Sequence, residues 1–219
     1  MPIGTRNYVV DIETMSTEPN AVIMSIGIVQ ILWDNFAQRF CLSKMQVGHR
    51  GIFYLIANAP EQIASGRHVS PETMVWWAQQ DPKAQEVVGK SMLCEFTSGI
   101  ICASLRRVFT APTGRLNISE PVTSTDAERR KRACVWGRGP NFDNAILNSY
   151  ITQYADKQRM WSFRNDRCLR TADIKGVSHE FERPNELPHH ALHDAYYEAN
   201  RLCQVANDLK ARGLDFLEI

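Results

Sequence analysis

The chain opens on a short β-rich stretch, Tyr8-Val9-Val10-Asp11-Ile12, which predicts a first strand almost at the N-terminus. Ser16 to Asn20 then collects Ser, Thr, Pro and Asn, the chemistry of a turn. Val22 to Leu32 is a long apolar run, as a central strand buried on both faces requires. Gly27 inside it predicts either a bulge or a close approach by another backbone. Ala37 to Ser43 reads as a third strand, so the first forty residues predict an antiparallel meander.

The period then changes from strand to helix. Ser70-Pro71-Glu72 is a helix start: an N-cap, a proline at the first helical position and an acid in the first turn. This helix carries Trp76 and Trp77, and Asp81-Pro82 opens another on the same logic. Leu93, Phe96, Ile100, Ile101, Leu105 and Val108 recur at helical spacing, predicting an amphipathic helix over 91–109. The Pro-, Gly-, Ser- and Thr-rich stretch 111–126 reads as a loop. Ala133 to Trp136 predicts a fourth strand, Asn141 a cap for a helix reaching about Tyr154, and Cys168-Leu169 a fifth strand. A last helix is expected from Ala191 to about Leu209, stopped near Gly213. Strands first, then alternating helices and strands, predict one α/β domain over 1–219 with a mixed central sheet.

Composition fits this picture. Hydrophobic residues are 44% of the 219, enough for a sizeable core. A formal net charge of +1 excludes a whole-protein basic field, so affinity for nucleic acid would have to come from a local patch or from bound metal. Six cysteines without a Cys-x-x-Cys pair read as reduced thiols. The absence of a secretory or membrane-spanning apolar run leads to the expectation of a cytoplasmic protein with no membrane partner.

Candidate chemistry begins with Asp11 and Glu13. Two apart on a strand, they point to the same face. Carboxylates held together repel unless protonated or bridged by a cation, and hard oxygen ligands suit Mg²⁺ or Mn²⁺. Alone, Asp143 reads as an acid complementing a helix dipole. Asp194 sits among Ala191, Leu192, Ala195 and Tyr196, where the helix must pack closely. Three histidines precede or adjoin it: His189, His190 and His193. Helical spacing alone favours His190, four residues before Asp194.

Taken together, these motifs resemble the DEDDh branch of the DnaQ-like 3′–5′ exonucleases, which have a ribonuclease H-like fold. The chain looks most like the subgroup of bacterial exoribonucleases and phage exonucleases with Asp-Ile-Glu-Thr-Met near the N-terminus, here Asp11 to Met15. That subgroup also carries a Trp-Trp helix, like Trp76-Trp77, a Gly-x-Gly-x-x-Phe-Asp-Asn segment, like Gly137 to Asn144, and an Asn-Asp-Arg-Cys-x-Arg-Thr segment, like Asn165 to Thr171.

The resemblance implies roles. Asp11, Glu13 and Asp194 would bind one metal, Asp11 would bridge to a second, and Asp143 would act mainly through a bound water. His189, five residues before Asp194, would be the general base; on a loop before the helix it need not obey helical phase. Two ions about 4 Å apart can activate water and stabilise both the attacking and the leaving oxygen. Met15, Trp76, Trp77, Asn141, Asn165 and Arg167 are the implied substrate contacts; the other reading of Asn165 and Arg167 is a structural one. Adjacent helical positions differ by about 100°, so at most one tryptophan is expected to face substrate; the other reading of both is core packing. Arg129-Arg130-Lys131-Arg132 is either a solvated helix end or a phosphate-tracking patch.

The expected partner is single-stranded nucleic acid with a free 3′ end, RNA favoured over DNA, with a phage-type exodeoxyribonuclease as the alternative. Relatives of the exoribonuclease type are dimers, so the resemblance allows a homodimer. Two rival readings remain. A zinc hydrolase would use the His189/His193 spacing, but it lacks the intervening glutamate and leaves Asp11-x-Glu13 unexplained. A non-catalytic nucleic-acid-binding module would keep the fold and lose the chemistry.

Overall fold

A computed structural model describes residues 6–47, 49–110, 132–139, 141–155, 159–172, 189–214 and 217. Strand β1 (Arg6–Thr14) lies antiparallel to the long β2 (Ile23–Asp34) and parallel to β5 (Ala133–Gly137). The far edge of β2 carries β3 (Arg39–Cys41) near its end and β4 (Ile52–Ile56) near its start, and β6 (Asp166–Cys168) extends the sheet beyond β5. The mixed sheet is flanked by α1 (Ala59–Ala64), α2 (Pro71–Ala78), α3 (Pro82–Met92), α4 (Ser98–Thr110), α5 (Asp143–Tyr154) and α6 (Ala191–Ala211). No helix among the described residues is long and apolar enough to cross a membrane.

Period-two alternation sorts β1 between two cores. Tyr8, Val10 and Ile12 face α4 and α5, packing with Leu105, Val108, Phe109, Ile146, Leu147 and Tyr150. Val9 faces the other way, with Leu192, Ala195 and Ala199 of α6. A sheet covered on both faces explains why β2 reads as one apolar run. A third cluster, Met15, Val22, Met24, Trp77 and Ala84, closes the end of β1 against α2 and α3.

The caps read from the sequence form: Ser70 Oγ accepts from the Thr73 N–H at 3.1 Å, and Asp81 Oδ1 from the Lys83 N–H at 2.8 Å. Elsewhere the structure departs from the pattern. The helix expected over 91–109 starts at Ser98, because the Glu61 carboxylate accepts from the Ser98 N–H at 2.6 Å and its hydroxyl at 3.0 Å. Leu93 and Phe96 therefore lie in an exposed connection, and Ile100 on the outer face of α4. Asn141 does not cap α5; Phe142 occupies the cap position without a side-chain hydrogen bond. The third strand is shorter than Ala37–Ser43, and β4 and α1 lie outside the predicted elements. The expected loop over 111–126 falls outside the described residues, as do Arg129, Arg130 and Lys131 of the basic run.

Candidate active site

The parallel pairing of β1 and β5 brings their C-terminal ends to one edge of the sheet, where Asp11 and Glu13 meet the start of α5. Asp11 pairs with Gly27 and Glu13 with Ser25 in the β1–β2 ladder. Directly opposed residues share a face, so both acids point to the side where α6 begins. Gly27 makes that possible. A Cβ there would lie 2.2 Å from the Ala191 carbonyl oxygen and 2.5 Å from the Leu192 nitrogen, so only glycine lets the first turn of α6 rest on β2. The close approach is at Gly27, whereas the irregularity in the ladder falls between Glu13 and Thr14.

Asp143 enters from the first turn of α5. Its Oδ2 accepts from the Arg138 backbone N–H at 2.9 Å. Gly137 leaves room for it, since a Cβ there would come within 2.9 Å of the Asp143 Cβ and 2.7 Å of Asn144 Oδ1. Asp194 lies in the first turn of α6. Glu13, His189 and Asp194 each offer a ligand atom, and these lie within 4.8 Å of one another; no other group of three is found among the described residues.

His189 and His190 part company here. His189 has φ of 59°, in the left-handed region, and its ring lies edge-on to Trp76 at 4.8 Å. It lines the cleft that holds the acids. His190 turns away to stack on Tyr54 at 4.6 Å and packs against His193 at 4.3 Å. Burial and the neighbouring His193 lower the His190 imidazole to about 4. A positive φ at His189, the residue before the N-cap, thus breaks the helical phase that favoured His190.

The electrostatics are those of a crowded acid cluster. Desolvation comes first in pushing the Asp11 carboxyl well above the usual range, followed by repulsion from Asp143, Glu13, Asp194 and Glu198. Burial raises Asp143 to about 7, opposed by N–H groups of Arg138, Asp143 and Ile12 and by the Arg170 charge. Such a set favours either protons or a hard divalent cation.

The cleft has a volume of 1220 Å³, above the roughly 300–1,000 Å³ of ordinary small-ligand pockets. Asp11, Glu13, Asp143, His189, Asp194, Trp76, Trp77 and Asn141 all border it. Trp77 is 2% exposed and donates from Nε1 to the Thr14 carbonyl at 2.9 Å; Trp76 is 41% exposed. Three implied substrate contacts lie elsewhere. Met15 packs into the third core cluster with Trp77, because the irregularity at Glu13/Thr14 resets the strand alternation that would have turned it toward the acids. Asn165 ends a short 3₁₀ turn, and the Arg167 guanidinium donates to the Arg164 and Asp166 carbonyls at 2.6 and 3.2 Å. Neither borders the cleft.

Glu198, Arg138 and Arg170, outside the residues predicted from the sequence, also border it. Glu198 is one helical turn beyond Asp194, a spacing that places both on one face and was available as a signal.

Solved structures of E. coli exonuclease I share this architecture. The complex with a dA16 oligonucleotide gives a TM-score of 0.57 at 11% identity, covering 97% of this chain and 42% of that one. The complex with a 5cy-dT13 oligonucleotide gives 0.53 at 13% identity, covering 95% and 41%. This chain spans about two-fifths of the length of those proteins. At such identity the likeness is one of fold, and that fold is ribonuclease H-like. No curated protein matches at the sequence level. The family profile for the 3′-5′ exoribonuclease Rv2179c-like domain matches residues 6–206. The chain therefore belongs to the 3′–5′ exoribonuclease Rv2179c-like domain family.

Proposed function

We propose that the chain is a single exonuclease domain over 1–219 that removes nucleotides from the 3′ end of single-stranded nucleic acid by a metal-dependent hydrolysis. The observation that carries the reading is the convergence of Glu13, His189 and Asp194 within 4.8 Å, beside an Asp11 already crowded by acids. This donor set fits Mg²⁺ or Mn²⁺: hard carboxylate oxygens in surplus and no thiolate. Asp11, Glu13 and Asp194 would hold one ion, Asp11 would also reach a second, and Asp143 would act through water. When bound, the ions supply Lewis-acid activation and neutralise charge at the phosphodiester.

The chain's own residues do the rest. His189 accepts the attacking water's proton at an imidazole nitrogen. The new oxygen–phosphorus bond forms as the bond to the 3′ oxygen of the preceding nucleotide breaks. The products are a nucleoside 5′-monophosphate and a strand one residue shorter with a 3′ hydroxyl. Trp76, half exposed beside His189, is placed to stack the terminal base, while Trp77 is the buried floor beneath it.

RNA is the favoured substrate, because the family profile spans most of the chain and names exoribonucleases. The second reading, DNA, is favoured by the fold likeness to an enzyme solved with DNA oligonucleotides. A cytoplasmic location is the expectation drawn from the apolar pattern of the sequence, and a homodimer the one drawn from the resemblance. Matched 5′-labelled single-stranded RNA and DNA, incubated with Mg²⁺, test the proposal. Ladders shortening from the 3′ end, faster for RNA, are expected; endonucleolytic or 5′–3′ products would contradict it.

A further inference from the structure

A polyanion entering this cleft meets the cluster of Asp11, Glu13, Asp143, Asp194 and Glu198, besides Glu18 and Glu72 in the same lining. The chain carries only +1 overall, so the attraction must be local. Among the described cleft residues the arginines are Arg138 and Arg170. Arg170 is exposed, and its charge acts on Asp143. Arg138 is different on three counts.

Its backbone is fixed, because its N–H donates to Asp143 Oδ2 at 2.9 Å. Its guanidinium is held from the opposite wall, where Nη1 pairs with Glu198 Oε1 on α6. Its side chain nevertheless stays 49% exposed, and among the described residues only Nη1 has a side-chain partner. The remaining donors of a planar fork suited to phosphate oxygens are thus left beside the acids.

Glu198 is equally informative. It is 7% exposed, and Arg201 anchors it from its own helix at 3.2 Å. A fifth carboxylate adds repulsion to Asp11, so its presence works against the metal-free cluster. An ion pair that only tied α6 to the end of β5 would not need an arginine half open to the cleft.

We propose that Arg138 contacts a phosphate of the bound strand near its 3′ end, and that Glu198 is a positioning residue that aims it. The assignment rests on the exonuclease reading above. It predicts one privileged linkage among the last three, the one lying beside Asp143, whose charged oxygen Arg138 recognises.

Binding of 5′-fluorescein single-stranded oligonucleotides to the full chain carrying His189→Ala, in Mg²⁺, tests it. Each of the last three linkages is replaced in turn by a neutral methylphosphonate. One replacement should weaken binding by about tenfold or more, as loss of a charge-assisted hydrogen bond does. Adding Arg138→Gln should weaken the unmodified oligonucleotide to the same degree and abolish the sensitivity at that linkage alone. Glu198→Gln should diminish the same linkage's effect, and Arg138→Lys, which keeps the charge and loses the fork, should fall between. Should Arg138→Gln fail to fold, as read by circular dichroism, the lysine variant carries the test. Equal, additive losses at all linkages in the Arg138 variants would overturn the contact. An undiminished linkage effect in Glu198→Gln would overturn the positioning role. No binding of any oligonucleotide by the His189→Ala protein would instead overturn the exonuclease reading on which both depend.

Discussion

Gly27 and Ala191 are in backbone contact: a Cβ on Gly27 would sit 2.2 Å from the Ala191 carbonyl oxygen. The contact seats the first turn of α6, and with it His189 and Asp194, against the strand that pairs with Asp11. Because the clash is with backbone, no side chain can move aside to relieve it. Gly27→Ala should cost about 1–3 kcal/mol of stability, as overpacking does. Turnover should fall by more than that loss explains, since a 1 Å misplacement of catalytic groups can cost roughly 10²-fold. Chemical denaturation and kcat measured on the same preparation separate the two effects.

His189→Ala should reduce kcat by about 10²–10⁴-fold with substrate affinity little changed, the range for a general base. His190→Ala should stay within a few-fold of wild type, because that ring stacks on Tyr54 and His193 away from the acids. Steady-state kinetics of the two variants on one oligonucleotide decide it; the reverse ranking would reassign the base.

The sequence made some of this site legible and hid the rest for identifiable reasons. Asp11 and Glu13 follow from strand alternation alone, since nothing interrupts it between them. Gly27 was readable as a close approach because a bare backbone in an apolar strand needs a neighbour to fill it. Met15 was not readable, because the ladder irregularity one residue earlier is a property of the β1–β2 pair. The start of α4 escaped for a similar reason: its cap comes from Glu61, on another element. His190 was favoured by helical phase until a positive φ at His189 broke it. The Arg138–Glu198 pair joins residues sixty apart, beyond any local window.

Asp143 sits at about 7 in the folded chain against an ordinary value of 3.8, and Asp11 is raised as well. The fold therefore retains protons that the unfolded chain gives up as pH rises from about 4 to about 7. By linkage, this pair's contribution to metal-free stability is largest at low pH and is lost across that window. In EDTA, Asp143→Asn should gain melting temperature relative to wild type as pH rises from 5 to 8. Mg²⁺ should raise the wild-type melting temperature more at pH 8 than at pH 5, because it then competes with fewer protons. Thermal melts at the two pH values check both.

The two tryptophans should separate by readout. Trp77→Ala removes a buried ring and the Nε1 bond to Thr14, so a loss of about 3–5 kcal/mol in stability is expected. Trp76→Ala should leave stability nearly intact and weaken substrate binding by about 1–3 kcal/mol, the worth of a base–aromatic stack. Denaturant midpoints and oligonucleotide anisotropy, read on both variants, test the division.

Hydrolysis from a 3′ end by divalent metal held among the acids around Asp11 makes two demands on a 5′-labelled single strand, followed with wild type and with Asp194→Asn, each in Mg²⁺ and in EDTA. Wild type should shorten it stepwise from the 3′ end in Mg²⁺ only, and Asp194→Asn should do so at least about a hundredfold more slowly, on the order expected when an essential charged group is removed. Undiminished cleavage in EDTA, or by Asp194→Asn, would contradict that chemistry.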